Sequence, residues 1–214
     1  QMCSTQVAIT HFGSDEQKSR WLPALCAGDA IGAFAITEPE HGSDTEHLEA
    51  RAVRTGSGYR LDGHKAYITL APRADVVVVF ASTRPEARGW GLTAFLVPTD
   101  LPGVERGPNR EKMGMRTTPF GDIVLRGVEV GEDARLGPEG AGTSIFLDAM
   151  EWERSYLFAT QVGAMERQLR ACVAYARERT TGGRPIIRHP AGAHRPADTN
   201  LRHENAPTPL HKAA

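Results

Sequence analysis

Two places in the sequence combine residue types that could do chemistry. Residues 34–44 read FAITEPEHGSD, an apolar run that leads into a loop rich in hydroxyl groups and backbone N–H donors. Such a loop could hydrogen-bond the polar edge of a planar cofactor, while its bare composition also fits an ordinary surface turn. The second place is Glu153, which Arg154 follows within a long stretch that lacks proline. A carboxylate held there could act as a general base.

Glu153 falls on one face of a predicted helix together with mainly apolar residues. Spacings of three and four residues place these side chains on that face: Phe146, Met150, Glu153, Leu157, Thr160 and Ala164. Glu151 lies about 200° around the helix from Glu153, so we expect it to point elsewhere. Glu153 thus interrupts a mainly apolar stripe, where a carboxylate could serve as a general base. The alternative is that Glu153 forms a structural ion pair with a basic side chain.

The first 130 residues contain a helical segment and then a sheet. Ser14 and Gln17 form a capping-box pattern that predicts the start of a helix, and Gly28 fits a left-handed cap at its end. From residue 31 to residue 130 the sequence consists of short β-branched and apolar runs broken by Gly, Pro and Asp. This pattern is typical of an antiparallel barrel or sandwich. Residues 55–58 predict a hairpin turn, and residues 76–80 predict a strand buried on both faces.

The rest of the chain predicts helix and then an irregular tail. Residues 143–179 contain no proline and one glycine, which favours one long helix. Pro190, Pro196, Pro207 and Pro209 follow at a density that we expect to prevent a regular helix. The predicted fold is thus α+β and multidomain, with a helical segment in residues 1–30, a β-domain in 31–130 and helical structure in 131–214.

Composition excludes some classes of partner. The 214 residues carry 25 basic and 26 acidic side chains, so no excess of positive charge points to nucleic acid. No apolar run approaches the roughly 20 residues that span a bilayer. Cys3, Cys26 and Cys172 form no metal-ligand or disulfide pattern, and a cytoplasmic location is expected. Because Gln1 reads as mid-helix, we also expect the natural N-terminus to lie upstream.

Several motifs resemble the acyl-CoA dehydrogenase family. Residues 37–44 are similar to its signature of Thr-Glu-Pro, a short spacer and Gly-Ser-Asp. Residues 63–69, GHKAYIT, are similar to its Gly-x-Lys-x-Trp-Ile-Thr strand, with Tyr67 in place of Trp and Leu70 in place of a frequent Asn. Taken alone, Tyr67 also fits a core aromatic of a strand. Further matches follow in the family order, at residues 112–116, 136–142, 175–179 and 183–186.

The resemblance implies an FAD-dependent oxidation of an acyl thioester, carried by CoA or by an acyl-carrier protein. Glu153 would remove the α-proton while the β-hydrogen leaves as hydride to flavin N5, and an electron-transfer flavoprotein would reoxidise the flavin. Ser43 and Arg154 would contact the substrate. The residues implied in cofactor binding are Phe34, Ile36, Thr37, Gly42, Ser43, Tyr67, Ile68, Thr69 and Arg179. The resemblance implies that residues 1–30 end an N-terminal helical domain and that residues 131–214 begin a truncated C-terminal helical domain. It implies no metal, and it implies a homodimer or homotetramer.

The sequence departs from the family pattern near its end. Gly182 stands where the family has a Phe in an Arg-x-x-Phe-Gly segment that reaches the flavin pyrophosphate of a neighbouring subunit, and Pro190 stands where a Gln usually opens a helix. We therefore expect weak or absent FAD binding by these 214 residues alone. Two other classes stay open: a non-catalytic remnant of the family, and a flavin monooxygenase or oxidase on the same fold.

Overall fold

The computed structural model describes residues 2–206, which form two compact units that meet in the chain between Met150 and Glu151. The first unit opens with two helices, α1 (Met2–Phe12) and α2 (Asp15–Ala27). Its strands are β1 (Gly32–Ala35), β2 (Arg51–Arg54), β3 (Gly58–Thr69), β4 (Val76–Ser82), β5 (Leu92–Pro98), β6 (Val104–Arg106), β7 (Phe120–Gly131) and β8 (Arg135–Leu136). A long helix, α3 (Gly142–Glu178), continues from the first unit into the second.

The capping box at the start of α2 is confirmed. The hydroxyl of Ser14 accepts a hydrogen bond from the N–H of Gln17, and the Gln17 side chain accepts one from the N–H of Ser14. The Gln17 amide also donates to the carbonyls of Asp133 and Arg135. The helix ends at Gly28 with φ of 82°, a left-handed conformation that glycine adopts without steric cost. The same side chain therefore caps α2 and ties it to the start of β8 and the residues before it.

The sheet is mainly antiparallel, as predicted, but it does not close. The hydrogen-bonded order is β6-β7-β3-β2-β4-β5-β8, with β1 paired in parallel to β4. The prediction was a barrel or a sandwich. Within residues 2–206 the end strands β6 and β8 do not pair with each other, which excludes the barrel of these two forms. These strands contain only three and two residues, which is too short a ladder to join two edges. The predicted hairpin at residues 55–58 is confirmed between β2 and β3.

Strand β4 lies in the interior of the sheet and is buried on both faces, as its apolar run predicts. Val77, Val79 and Ala81 pack into one hydrophobic cluster, and the alternate residues Val76, Val78 and Phe80 pack into another. The second cluster includes Ile9 of α1 and Leu25 of α2. Because side chains alternate along a strand, one strand supplies the centre of both cores.

In the second unit, α3 is followed by a short hairpin and a helix. The hairpin pairs β9 (Thr180–Thr181) with β10 (Arg184–Pro185), and the helix is α4 (Pro190–Asn205). The prediction that the prolines prevent a regular helix was therefore wrong. Pro190 occupies the first turn, where no N–H is needed, and Pro196 removes a single internal hydrogen bond without ending the helix. Pro207 and Pro209 lie outside the described residues.

We predict that Gln17→Ala destabilises the protein more than Ser14→Ala. Ser14→Ala removes one capping bond and should lower the unfolding free energy by about 1 kcal/mol. Gln17→Ala also leaves the Asp133 and Arg135 carbonyls without that donor, so its loss should reach about 2 kcal/mol. Urea unfolding measures both changes, with Ser57→Ala in the exposed hairpin turn as the control at less than about 0.5 kcal/mol. Equal losses for Ser14→Ala and Gln17→Ala would contradict the tertiary role of Gln17.

Candidate functional site

The predicted cofactor loop begins where β1 leaves the sheet. Phe34 is buried against Phe80, with ring centroids 5.0 Å apart, and Ile36 is also buried. Only the backbone of these two residues could therefore face a ligand. Thr37 is partly exposed, and after it the chain turns sharply, because the N–H of Glu38 donates to the carbonyl of His41 at 2.9 Å. The core thus holds one end of the loop and leaves Thr37 at its surface.

A buried ion pair joins this loop to β3. The ammonium of Lys65, which has no exposed surface, donates to the Glu38 carboxylate at 2.8 Å and to the Ile36 carbonyl at 3.0 Å. The same carboxylate accepts the backbone N–H groups of Glu49 and Ala50. One side chain from β3 and one from the loop therefore link three segments of the β-domain.

The two charges perturb each other's ionisation. Burial lowers the pKa of Lys65 to about 8, against the attraction of the Glu38 carboxylate. Burial opposes ionisation of Glu38 as well, but the Lys65 charge and the hydrogen bonds from Lys65, Glu49 and Ala50 outweigh it and lower the Glu38 pKa below its ordinary value. At neutral pH the pair is ionised. Around pH 8 about half of the Lys65 ammonium groups have lost their proton.

The two segments that resemble the family motifs lie side by side. The carbonyl of Thr37 accepts the N–H of Ala66 at 2.9 Å, next to the Lys65 contacts. Thr37, Tyr67 and Thr69 are each at least partly exposed, so two threonines and one tyrosine of these segments lie at the surface. Ile68 between them is buried in the core. The arrangement offers hydrogen-bonding groups and a flat apolar surface, which suits the edge and the face of a planar ring.

Tyr67 reaches the surface because β3 is irregular at this point. The pairing of β3 with β7 shifts between Lys65 and Ile68, and Tyr67 has φ of 60°. A bulge of this kind re-aims a side chain that would otherwise follow the strand alternation. The Tyr67 side chain is about half exposed, at 51%. The tyrosine that the sequence also allowed as a core aromatic is therefore a surface residue.

Gly42 and Ser43 lie in the exposed loop beyond the turn. Asp44 organises this part of the loop by accepting hydrogen bonds from the N–H of Glu46 and from the His47 ring. The hydrogen bond from His47, with smaller help from its charge and from the Glu46 N–H, lowers the pKa of Asp44. The Ser43 hydroxyl stands next to this fixed turn. Its predicted contact with substrate stays a prediction.

Sequence reasoning missed two residues beside Tyr67. The carboxylate of Asp122 accepts two hydrogen bonds from Arg110, at 2.9 and 2.7 Å, and the Arg110 guanidinium lies 4.7 Å from the Tyr67 ring centroid. The nearby match at residues 112–116 folds as a loop in which Lys112 donates to the Thr118 carbonyl at 2.6 Å. Arg110 and Asp122 are twelve residues apart in different segments, and no local spacing signals such a pair.

The predicted catalytic residues belong to the second unit. Glu153 is half-buried on α3, whereas Glu151 and Arg154 are exposed. Leu157, which the helical spacing places on the face of Glu153, is 63% exposed. Phe146 and Met150 of the same stripe are partly buried and pack against the hydrophobic core. Arg179 is exposed and follows the end of α3. The base and substrate roles of these residues stay predictions.

The structure gives a physical reason for glycine at position 182. Gly182 and Gly183 connect β9 to β10 as a two-residue turn, with φ of 57° and 78°. Tight hairpin turns of this length favour positive φ at both positions, and a phenylalanine at 182 would be strained in this conformation. The change from the family pattern therefore goes with a hairpin at this point of the chain.

Comparison with known proteins identifies the family. Residues 33–128 match the acyl-CoA dehydrogenase middle domain, and residues 140–214 match the acyl-CoA dehydrogenase C-terminal domain. The two matches together cover most of the chain, which therefore belongs to the acyl-CoA dehydrogenase family. No helix within residues 2–206 is long and apolar enough to cross a membrane. In the same residues, no cluster of His, Cys, Asp and Glu could hold a metal ion.

Three relatives show what kinds of protein the chain is similar to. An L-prolyl-[peptidyl-carrier protein] dehydrogenase of Pseudomonas fluorescens is 41% identical over 206 residues, which are 96% of this chain and 54% of that protein. The crystal structure of the prolyl acyl carrier protein oxidase AnaB has a TM-score of 0.88 at 37% identity, over 99% of this chain and 58% of that one. PigA with FAD and proline has a TM-score of 0.85 at 36% identity, over 95% and 53%. The chain thus spans about half the length of these relatives.

We predict that Lys65→Met lowers the unfolding free energy by about 3–5 kcal/mol at neutral pH, because it leaves the Glu38 carboxylate buried without its cation. The loss should grow above pH 8. Between about pH 8 and the ordinary lysine pKa of 10.5, the unfolded wild-type chain binds more protons than the folded one, so wild-type stability rises with pH by up to about 3 kcal/mol. Lys65→Met lacks this gain.

Chemical unfolding of both proteins from pH 7 to pH 10 measures the difference. The double variant Glu38→Gln/Lys65→Met removes both charges and should be less destabilised than Lys65→Met at neutral pH. A gap between wild type and Lys65→Met that stays constant or narrows above pH 8 would show that Lys65 is not protonated at an energetic cost in the folded protein.

Proposed function

We propose that this chain is the flavin-facing part of an FAD-dependent dehydrogenase of acyl thioesters, with domain limits near residues 30 and 130. The observation that carries the proposal is the direct contact of two motif segments, in which Lys65 and Ala66 of β3 bond the backbone around Thr37. Thr37, Tyr67 and Thr69 of these segments are each at least partly exposed, which supports the proposal. Membership of the acyl-CoA dehydrogenase family supports the same conclusion.

The residues present fit a flavin. Thr37 and Thr69 would hydrogen-bond the polar groups of the isoalloxazine, and the half-exposed Tyr67 would pack against the ring system. The backbone between Phe34 and Ser43 would supply further N–H and carbonyl groups, and Arg179 would meet the phosphates. PigA, which is similar in structure, is described with FAD and proline. When bound, the flavin would accept a hydride from the β-carbon of the substrate.

In the proposed reaction Glu153 removes the α-proton. The electrons of the α C–H bond form the new double bond, and the β-hydrogen leaves with its pair of electrons as hydride, so the acyl group loses two hydrogens. Arg154 and the Ser43 hydroxyl would orient the thioester. Glu153 then holds the proton until it returns to water. Glu153 is half-buried, which limits the solvent around its carboxylate and supports its role as the base.

We propose a carrier-bound acyl group as the substrate in preference to a free CoA ester. The names of two similar proteins, an L-prolyl-[peptidyl-carrier protein] dehydrogenase and a prolyl acyl carrier protein oxidase, support a carrier-bound aminoacyl thioester. Electron-transfer flavoprotein would reoxidise the flavin in a dehydrogenase that works as a homodimer or homotetramer. The name of the second protein favours an alternative, in which dioxygen takes the electrons. Production of hydrogen peroxide during turnover distinguishes the two routes.

We predict that Glu153→Gln abolishes α-proton removal in a full-length protein that carries this chain. Glutamine keeps the shape of glutamate but cannot accept the proton, so turnover should fall by about 10²- to 10⁴-fold while flavin and substrate still bind. Flavin bleaching by a prolyl-carrier or acyl-CoA thioester follows the reductive half-reaction directly. The matched control is Glu151→Gln, two residues away on the same helix, which should have little effect. Full turnover by Glu153→Gln would exclude this residue as the base.

We predict that the 214 residues alone hold FAD weakly. Gly182 replaces the aromatic residue that the family places near the flavin pyrophosphate. The visible spectrum should therefore show flavin absorption that gel filtration removes from this chain and not from a full-length protein that carries it. Stoichiometric FAD retained by the 214 residues would contradict the weak binding. A full-length protein without flavin absorption, even after FAD is added, would overturn the proposed function.

A further inference from the structure

The backbone of Tyr67 is in a conformation that few bulky residues adopt. Its φ of 60° lies in the left-handed region, where the Cβ of a non-glycine residue is crowded, and the residue stands inside a strand. Such a conformation persists only where surrounding contacts hold it. The contacts that hold Tyr67 therefore decide where its ring is placed.

Asp122, on the facing strand β7, supplies the first of these contacts. Its carboxylate accepts the backbone N–H of Tyr67 at 3.3 Å, and it also contacts the His64 ring at 3.0 Å and the Arg110 guanidinium through two bonds. The hydrogen bond from Arg110 is the main reason why the pKa of Asp122 is lowered. The Asp122 side chain is only 15% exposed. A charged and largely buried carboxylate thus fixes the backbone of the bulge and one end of Arg110.

Arg110 supplies the second contact. Its backbone N–H donates to the carbonyl of Phe120 at 2.7 Å, so the residue is held by its main chain as well as by Asp122. Between these two attachments the guanidinium lies 4.7 Å from the Tyr67 ring centroid. The Phe120 ring stands beside Tyr67 at 6.3 Å, tilted by 37°. The Arg110 guanidinium thus covers one face of the Tyr67 ring, and the residue is still 51% exposed, which leaves ring surface for a planar ligand.

We propose that Arg110 and Asp122 are positioning residues that set the orientation of the Tyr67 ring for the flavin. The inference rests on the proposed function, since it assigns Tyr67 to a flavin contact. Asp122 holds the strained backbone, and Arg110 prevents the ring from turning about its side-chain bonds. The pre-set ring then loses little conformational freedom when the flavin packs against it, which strengthens binding.

The first test observes Tyr67 without flavin, in a full-length protein that carries this chain. With 3-fluorotyrosine incorporated, the resonance of Tyr67 is the ¹⁹F signal that disappears in Tyr67→Phe. Arg110→Gln should shift this resonance and leave the other tyrosine signals in place, while Arg110→Lys, which keeps a cation over the ring, should shift it less. Arg126→Gln is the matched control, because Arg126 lies on β7 and pairs with the exposed Glu105. An unmoved Tyr67 resonance in Arg110→Gln overturns the proposal.

The second test measures the dissociation constant of FAD for the same apoproteins. Loss of the stacked cation should raise it about three- to tenfold in Arg110→Gln, with partial recovery in Arg110→Lys and no change in Arg126→Gln. If the Tyr67 resonance moves but FAD binds equally well, Arg110 does not position Tyr67 for the flavin. That result overturns the proposal while the proposed function stands. A wild-type protein that binds no FAD overturns the proposed function, and with it the flavin role of Arg110 and Asp122.

Discussion

The buried ion pair of Glu38 and Lys65 is the interaction on which the geometry of the candidate site depends. Neither side chain is usefully exposed, at 3% and 0%, so each charge has lost most of its hydration. A pair of this kind adds little net stability over well-packed apolar residues, but removing one partner is costly. Its consequence here is positional. The carboxylate is also bonded by the backbone of Glu49 and Ala50, and the ammonium by the carbonyl of Ile36.

Because those partners are backbone groups, the ion pair fixes main-chain positions rather than a surface. Thr37 lies between Ile36 and Glu38, both of which are bonded to Lys65, and its own carbonyl accepts the N–H of Ala66. The threonine has little freedom to move away from β3. The loop of such a site is held as firmly as the strand, because any movement of the loop would break buried hydrogen bonds to charged groups.

Tyr67 is held in place by different interactions from those that hold Thr37. Its bulge interrupts the β3–β7 ladder, and the left-handed backbone is unfavourable for a tyrosine. The compensation comes from the hydrogen bonds of Asp122 with the Tyr67 backbone, Arg110 and His64. Strain at one residue is thus offset by hydrogen bonds made by its neighbours. The buried pair and these hydrogen bonds together place two motif segments within one region of the β-domain.

The sequence by itself determined the elements whose signals are local. The capping box at Ser14, the buried strand around Val78 and the long proline-free helix α3 each follow from a few neighbouring residues, and the structure agrees with all three. The family also could be read from short motifs in a fixed order. Local reasoning overstated the effect of proline, because a count of prolines does not say that Pro190 occupies a position that needs no N–H.

Only the tertiary structure decided that the sheet stays open, that Glu38 pairs with Lys65 and that Asp122 and Arg110 contact Tyr67. Each of these joins residues that are distant in sequence: the ion pair spans 27 positions, and Tyr67 meets Asp122 across 55. Such pairs depend on the register between strands and, for Tyr67, on the bulge that shifts the register of β3 against β7. The alternation of side chains along a single strand predicts neither the register nor the bulge. The sequence was therefore enough to predict the residues of the two motifs. The fold decided which of these residues are buried, which are exposed and which neighbours form hydrogen bonds with them.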